Sequence, residues 1–303
     1  VNNINRLIIF TGFLYWLAHS LTRPLIAVHA QQLQLQNLQI GIVVAIYAIL
    51  PFLLAIPSSK YVNMFGEVRV LRYGAGFMLT SGILYCLSQE ISILIFAQVI
   101  AGIGQMSVWM VAQAMVMNPE VRSASIVSSF SFYNTLGQLL GPLIGGGLMQ
   151  YVSLESSFYS YTIICFFLLL LTLKMPEFTN VKRLINISTL QTFEESLTLF
   201  KNKSFVVMLV FTFLALFILE ARTTYLPIYL YSIEFSPMLV GLILTLGSAS
   251  GLLVRPLYGY LYNKYRAITI SVAAFVGSLS LLFVTPLIES FYGFVILMLI
   301  SGV

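Results

Sequence analysis

The 303-residue sequence has no aspartate, two histidines, two cysteines and little charge of either sign, with only 8% Asp, Glu, Lys and Arg combined. An ordinary soluble domain carries about 25%. A chain this poor in charge does not stay in water. The two cysteines, Cys86 and Cys165, both sit inside apolar runs. They imply neither a disulfide framework nor a cysteine-ligated metal cluster. No phosphate-binding glycine loop, nucleophile elbow or His-Glu metal signature occurs, which argues against an ATP-driven pump and against an intramembrane enzyme. No cofactor is expected.

What is present is apolar length, with 59% of the residues hydrophobic. A membrane-spanning helix needs about 20 such residues in a row. Nine runs qualify, at roughly 7–29, 39–59, 71–88, 91–114, 124–150, 157–174, 204–230, 238–260 and 268–286, and a tenth opens near Phe291. None shows the alternation of a membrane β-strand. The first run has no small-residue cleavage site and reads as a retained helix rather than a signal peptide. The lipid bilayer is therefore the expected solvent. Because the sequence begins without Met and stops inside the tenth run, it reads as a fragment.

Lys and Arg are also missing from every second connection. Of the fifteen, twelve lie at the amino-terminal end or in alternate loops, including Arg6, Lys60, Arg69, Arg122, Lys182 and Lys264. The opposite loops hold only acids, namely Glu90, Glu155, Glu234 and Glu289. The positive-inside rule then places the amino terminus and loops 60–71, 117–123, 175–203 and 261–267 in the cytoplasm. The expected location is a multi-pass place in the cell membrane, that of a bacterium. Basic residues in short loops at a membrane surface do not indicate nucleic-acid binding.

The chain repeats itself at an offset of 200 residues, without a gap. Residues 38–66 run parallel to 238–266: Gly41 falls on Gly241, Asn63 on Asn263 and Phe65 on Tyr265. Ala101-Gly102-Ile103 falls on Ser301-Gly302-Val303. Two similar halves in one orientation are the architecture of a secondary transporter, with the substrate site where they meet. The division expected is 1–176 for a first six-helix bundle, 177–203 for a cytoplasmic linker and 204–303 for part of a second bundle. Within the linker, Leu190, Phe193, Leu197 and Phe200 recur at helical spacing behind a capping Ser188. They form either an amphipathic helix on the inner membrane face or a solvated linker helix.

The fifth run contains GQLLGPLIGG, which places Gly137, Gly141, Pro142, Gly145 and Gly146 in one helix. Glycines four apart let another helix approach closely, and an internal proline removes a backbone hydrogen bond and bends the helix. The run resembles the helix-5 signature, or antiporter motif, of exporters in the major facilitator superfamily. The turn after the eighth run, preceded by Arg255, resembles that family's loop signature at Pro256, Gly259, Leu261 and Lys264, with Asn263 where the family has aspartate. After the second run, Gly66 and a nearby basic residue survive from the same signature. Gln98, Ala101 and Gly102 match the fourth-helix pattern without its arginine. The resemblance implies an all-α polytopic membrane protein with two six-helix halves related by a pseudo-twofold axis, here cut within helix 10.

Charge inside a membrane costs on the order of 2.5–3.5 kcal/mol at a helix centre. Arg23 in the first run, Glu220 and Arg222 in the seventh and Arg255 in the eighth incur that cost. The repeat puts Glu220 level with Ser20 and Arg222 level with Thr22, so Arg23, Glu220 and Arg222 share one depth, nearer the outer face. An Arg23–Glu220 pair would close that side; the other reading has both arginines snorkel to the interface. Arg255, near the cytoplasmic end, snorkels or ties the next turn. Tyr15 and His19 precede Arg23 at spacings of four and share its helix face. Gln98, Gln105, Trp109 and Gln113 fall on one arc of the fourth run, and Asn134 and Gln138 lie a turn apart in the fifth. These amides either glue helices together or line a wet central cavity.

The expectation is a permease that exports a small organic solute by alternating access, with the proton as coupling ion. Three intramembrane arginines against one glutamate favour an anionic or zwitterionic solute. A functional monomer is expected. The rival readings are an uptake permease of the same fold and a non-transporting membrane sensor or assembly protein.

Overall fold

The computed structural model describes residues 2–118, 123–177, 197–265 and 267–301, with side chains described at all of these except 2, 55–60, 63, 253–263, 267 and 301. Among the described residues ten α-helices follow in order: α1 Asn2–Gln32, α2 Asn37–Phe65, α3 Glu67–Cys86, α4 Ile91–Met117, α5 Ala124–Tyr151, α6 Leu154–Leu173, α7 Lys203–Ser232, α8 Pro237–Lys264, α9 Ala267–Val284 and α10 Phe291–Ser301. The described residues contain no strand. Each run read from the sequence is a helix, and most helices extend past it.

Five of the ten, α2, α4, α6, α7 and α9, are long and apolar enough to cross a membrane on length and composition alone. The nine full runs thus differ in kind. In α1 and α5 the apolar run is interrupted by polar residues and glycines, of which Thr11, Thr22, Asn134, Thr135 and Gly141 are buried in the bundle.

The junctions follow from local chemistry. Ser123 and Ser153 cap α5 and α6 by accepting from Ile126 N and Ser156 N, each at 3.2 Å. Asn202 caps α7 through Ser204 N at 3.0 Å. Between α2 and α3 the chain passes through Gly66 at φ 87°, where a side chain would be strained, so glycine is what permits the two helices to abut. Prolines lie inside several helices, among them Pro24 in α1, Pro51 in α2, Pro142 in α5 and Pro227 in α7.

Helices α1 to α6 pack into one bundle, in which α1 lies against α5 and α6, and α3 against α4 and α6. Its interior includes Tyr15, Leu21, Leu71, Leu94, Phe158 and Leu168, all fully buried. A second, smaller core joins α7, α8 and α10 around Leu230, Ile243 and Phe294. The two groups meet chiefly through α5 on α8 and α1 on α7. Outward faces are apolar, as Phe166, Phe167 and Leu170 of α6 and Phe213 and Phe217 of α7 show.

The amphipathic helix expected from Ser188 to Phe200 lies mostly outside the described residues, as do Leu190 and Phe193. Leu197 and Phe200 are exposed and lead through the 3-10 turn Leu199–Lys201 into α7.

Candidate functional site

Arg23 of α1 and Glu220 of α7 form an ion pair, Nη2 to Oε2 at 2.5 Å. The arginine side chain is 9% exposed and the carboxylate 47%, so Glu220 is the partner that reaches open space. The Arg23 guanidinium also lies over the Tyr47 ring of α2, 4.4 Å from its centroid. A cation is stabilised there by the ring quadrupole. The Tyr47 hydroxyl in turn is 3.0 Å from His19 Nδ1. Glu220, Arg23, Tyr47 and His19 therefore make a continuous polar chain from one half into the other.

Tyr15 continues this face of α1. Its ring stacks on His19 at 5.8 Å and on Trp109 of α4 at 5.3 Å. Its hydroxyl faces Gln105. Trp109 also meets Trp16 edge-on and stacks on Phe130 of α5. The Trp16 indole N–H and the Asn134 amide oxygen are buried without a hydrogen-bond partner among the described residues. Asn134 crowds Gly12 so closely that a Cβ there would meet its amide oxygen.

The amides of α4 do not act as one face. Gln98 is fully buried and accepts from the Tyr85 hydroxyl of α3 at 2.9 Å, so it ties two helices of the first bundle together. Gln105 and Trp109 stand beside Tyr15, and Gln113 is exposed. Gln138 of α5 instead borders a second cavity, of about 400 Å³, together with Thr135, Arg222 of α7, Gly247 and Ser248 of α8 and Thr285 after α9.

The glycines of α5 serve two neighbours. Gly137, Gly141 and Gly145 lie against α1, where a Cβ would stand 2.7 Å from Phe13 O, 2.6 Å from Leu21 N and 3.0 Å from Leu21 O. Ser20 donates to Gly137 O at 3.0 Å along the same seam. Gly146 faces the other way, with its Cβ position 3.0 Å from Gly241 Cα of α8, while a Cβ on Gly241 would strike Pro142 O. The motif thus holds its own bundle on one side and the opposite half on the other. In lipid such close backbone packing is a main source of helix association.

Among the described residues the halves touch at one end and leave a cavity between α5 and α8 at the other. Met238 N donates to Gln150 Oε1 at 2.9 Å, the Tyr231 hydroxyl meets Met149 Sδ at 3.3 Å, and Thr245 donates to Leu139 O at 3.0 Å. Pro24, Pro142, Pro227 and Pro237 crowd around a void of only about 10 Å³ there. Towards the basic loops, Val127, Ser131 and Phe132 of α5 stand back from Leu252 of α8 across a cavity of about 730 Å³.

At that basic end Arg69 grips Glu177 with two bonds, Nε to Oε1 at 3.0 Å and Nη2 to Oε2 at 2.8 Å. Arg72 donates to Met175 O at 2.7 Å and Thr172 O at 3.2 Å, satisfying carbonyls at the end of α6. The Arg69 guanidinium holds the Glu177 carboxyl below its usual range. The side chains of Arg255, Pro256, Gly259 and Asn263 lie outside the described residues, although the backbone there is helical in α8.

A family model described as Major Facilitator Superfamily matches residues 8–303. The chain belongs to the major facilitator superfamily. An uncharacterized MFS-type transporter of Methanocaldococcus jannaschii is 26% identical over 280 residues, which cover 88% of this chain and 70% of that protein. The quinolone resistance protein NorA of Staphylococcus aureus is 24% identical over 266 residues, covering 84% of this chain and 66% of NorA. Among solved structures, a mutant of the nucleoside transporter NupG superposes with a TM-score of 0.81 at 16% identity, over 99% of this chain and 79% of that one. A D-xylose-proton symporter gives 0.71 at 18% identity, with the same coverages. The fold is thus that of MFS transporters, a multi-pass membrane fold whose members bind small molecules. This MFS chain spans about two thirds to four fifths of the proteins it matches.

Sequence reading missed Tyr47, Tyr85 and Glu177. Tyrosines within apolar runs carry no charge signal, and Glu177 sits in a loop already rich in charge. The one available clue was Arg69 and Arg72 three apart at a helix start, a spacing that aims both at one target.

Proposed function

We propose that this MFS protein exports a small organic solute across the cell membrane by alternating access, in exchange for protons. Residues 1–176 and the half that begins at 204 rock against each other, and 177–203 connects them on the cytoplasmic side. The amino terminus is cytoplasmic, by the distribution of Lys and Arg. The solute is anionic or zwitterionic, and the working unit is a monomer.

The observation that carries this reading is the Arg23–Glu220 ion pair between the halves. It lies at the end where α5 and α8 close on each other, and the opposite, basic end is parted. With the basic loops inside, this is an inward-facing arrangement. Losing the Glu220 charge, as in Glu220→Gln, would release Arg23 and unlock the outer side. The α5 motif supports the same direction through its resemblance to the helix-5 signature of exporters, and its Pro142 and Gly146 form the cross-half contact.

Uptake is the second reading, supported by the structural likeness to a proton symporter. Everted membrane vesicles carrying the full-length protein separate the two. Export by proton exchange predicts solute accumulation when the vesicle interior is acid, and loss of accumulation when the gradient is collapsed. Accumulation in right-side-out vesicles with an acid exterior would establish uptake instead.

A further inference from the structure

Two neighbours of unequal permanence hold the Arg23 guanidinium. Glu220 reaches it from α7, across the boundary between the halves, and its side chain is 47% exposed. Tyr47 reaches it from α2, in the same bundle as α1, and is only 8% exposed. Among the described residues Arg23 Nη1 is buried without a hydrogen-bond partner. Once Glu220 withdraws, the Tyr47 ring at 4.4 Å is the close contact that remains to the charge. That ring is itself fixed. Its hydroxyl meets Nδ1 of His19, one turn before Arg23 on α1, at 3.0 Å. A Cβ on Gly102 of α4 would strike the Tyr47 carbonyl, so glycine lets α2 press close at this level. The repeat does not reproduce the arrangement. Arg23 falls on Thr223 and Tyr47 on Gly247, so the second half has neither cation nor ring at the matching places.

We infer that Tyr47 is a positioning residue: it keeps Arg23 aimed at the boundary whether or not Glu220 is there, so that the first half carries a standing socket and Glu220 is the partner that comes and goes. This rests on the alternating-access reading but not on the direction of transport. The face of an aromatic ring attracts a desolvated guanidinium without any counter-charge. Left with no partner, a buried guanidinium is costly, and the long side chain would withdraw towards the interface. A socket also spares the ordering of that side chain each time the pair forms again. Tyr47 belongs to α2 and Arg23 to α1, so their contact moves with the first half as one body.

Fluorination of the ring tests this, because it drains the negative face and changes the size of the side chain little. Full-length protein is made with Tyr47→Phe and with mono-, di- and trifluorophenylalanine in place of Tyr47. In right-side-out vesicles without a gradient, an impermeant thiol reagent reports opening of the outer side through a cysteine placed in the cavity, in a background without Cys86 and Cys165. Tyr47→Phe should stay near the parent rate. Labelling should then climb with each fluorine, to about tenfold or more at the last, the scale of a desolvated cation–π contact. The same series in Arg23→Gln protein should be flat. In Glu220→Gln protein the melting temperature should fall step by step along the series. A flat labelling series with Arg23 present, or an equal climb in Arg23→Gln, would make Tyr47 plain packing and overturn the assignment. A flat melting series in Glu220→Gln, or failure of its Tyr47→Phe form to fold, would also overturn it, since the ring would then not hold the arginine alone. None of these readouts involves solute, so each result stands whichever direction of transport the vesicle experiments establish.

Discussion

The guanidinium of Arg23 donates to the carboxylate of Glu220 at 2.5 Å, across 197 positions of sequence and across the boundary between the two halves. A pair placed there has two consequences. It neutralises charges that a membrane otherwise penalises by several kcal/mol. It also ties the helices whose separation would open that end. A neutral Glu220 should loosen the tie, and so should a neutral residue at position 23. Arg23→Gln is expected to raise the reaction of impermeant thiol reagents with cysteines placed in the cavity, measured by labelling rate from the outer face. An unchanged rate would mean the pair is not a closure.

The helix-5 glycines should separate by face. Gly141→Leu drives a side chain into the backbone of α1, where a bare Cβ already stands 2.6 Å from Leu21 N. Overpacking of that kind costs about 1–3 kcal/mol or more. The expected result is a lower melting temperature in detergent. Gly146→Leu strikes α8 rather than α1, so it should keep the bundle stable and instead lower transport at equal protein level. Equal transport by Gly146→Leu and the parent protein would show that α5 and α8 need not close.

Topology has a direct check. Single cysteines at Gln36 and Ser156, in a background without Cys86 and Cys165, should react with impermeant reagent in intact cells. Labelling only after lysis would reverse the assignment.

The Glu177 clamp predicts a pH effect with a definite sign. Its folded-state carboxyl is held low by Arg69. The stabilisation is therefore present above the ordinary glutamate value, near about 4.3, and is lost as pH falls through the lower folded value. Both partners are exposed, so salt should weaken it as well. Acid titration of thermal stability should show this component in the parent protein and lose it in Glu177→Gln. Identical profiles would show that the clamp adds nothing.

How much of this was legible in the sequence depends on what each residue type signals. Counting rise per residue and applying the repeat places Arg23 and Glu220 at one depth, because depth follows from sequence position alone. The rotation of a helix about its axis does not follow so simply. Gln98 shares an arc of α4 with Gln105 and Trp109, yet it turns to Tyr85 of α3 while they stand beside Tyr15. Helices cross their neighbours at an angle, so one face meets different partners at different depths. The glycine motif announced close packing but not that α5 has two partners, since Gly145 and Gly146 point apart by a single residue step. Tyr47 stayed hidden because an aromatic residue in an apolar run looks like core until the arginine beneath it is seen.

The most direct test of the coupling claim is Glu220→Gln in proteoliposomes of the full-length protein, with solute movement followed under an imposed pH gradient and, separately, as gradient-free counterflow. The coupling account predicts that gradient-driven transport is lost while counterflow persists. If Glu220 serves stability alone, the variant should instead express poorly and be partly rescued by adding Arg23→Gln. A well-folded Glu220→Gln protein with undiminished gradient-driven transport would contradict the account.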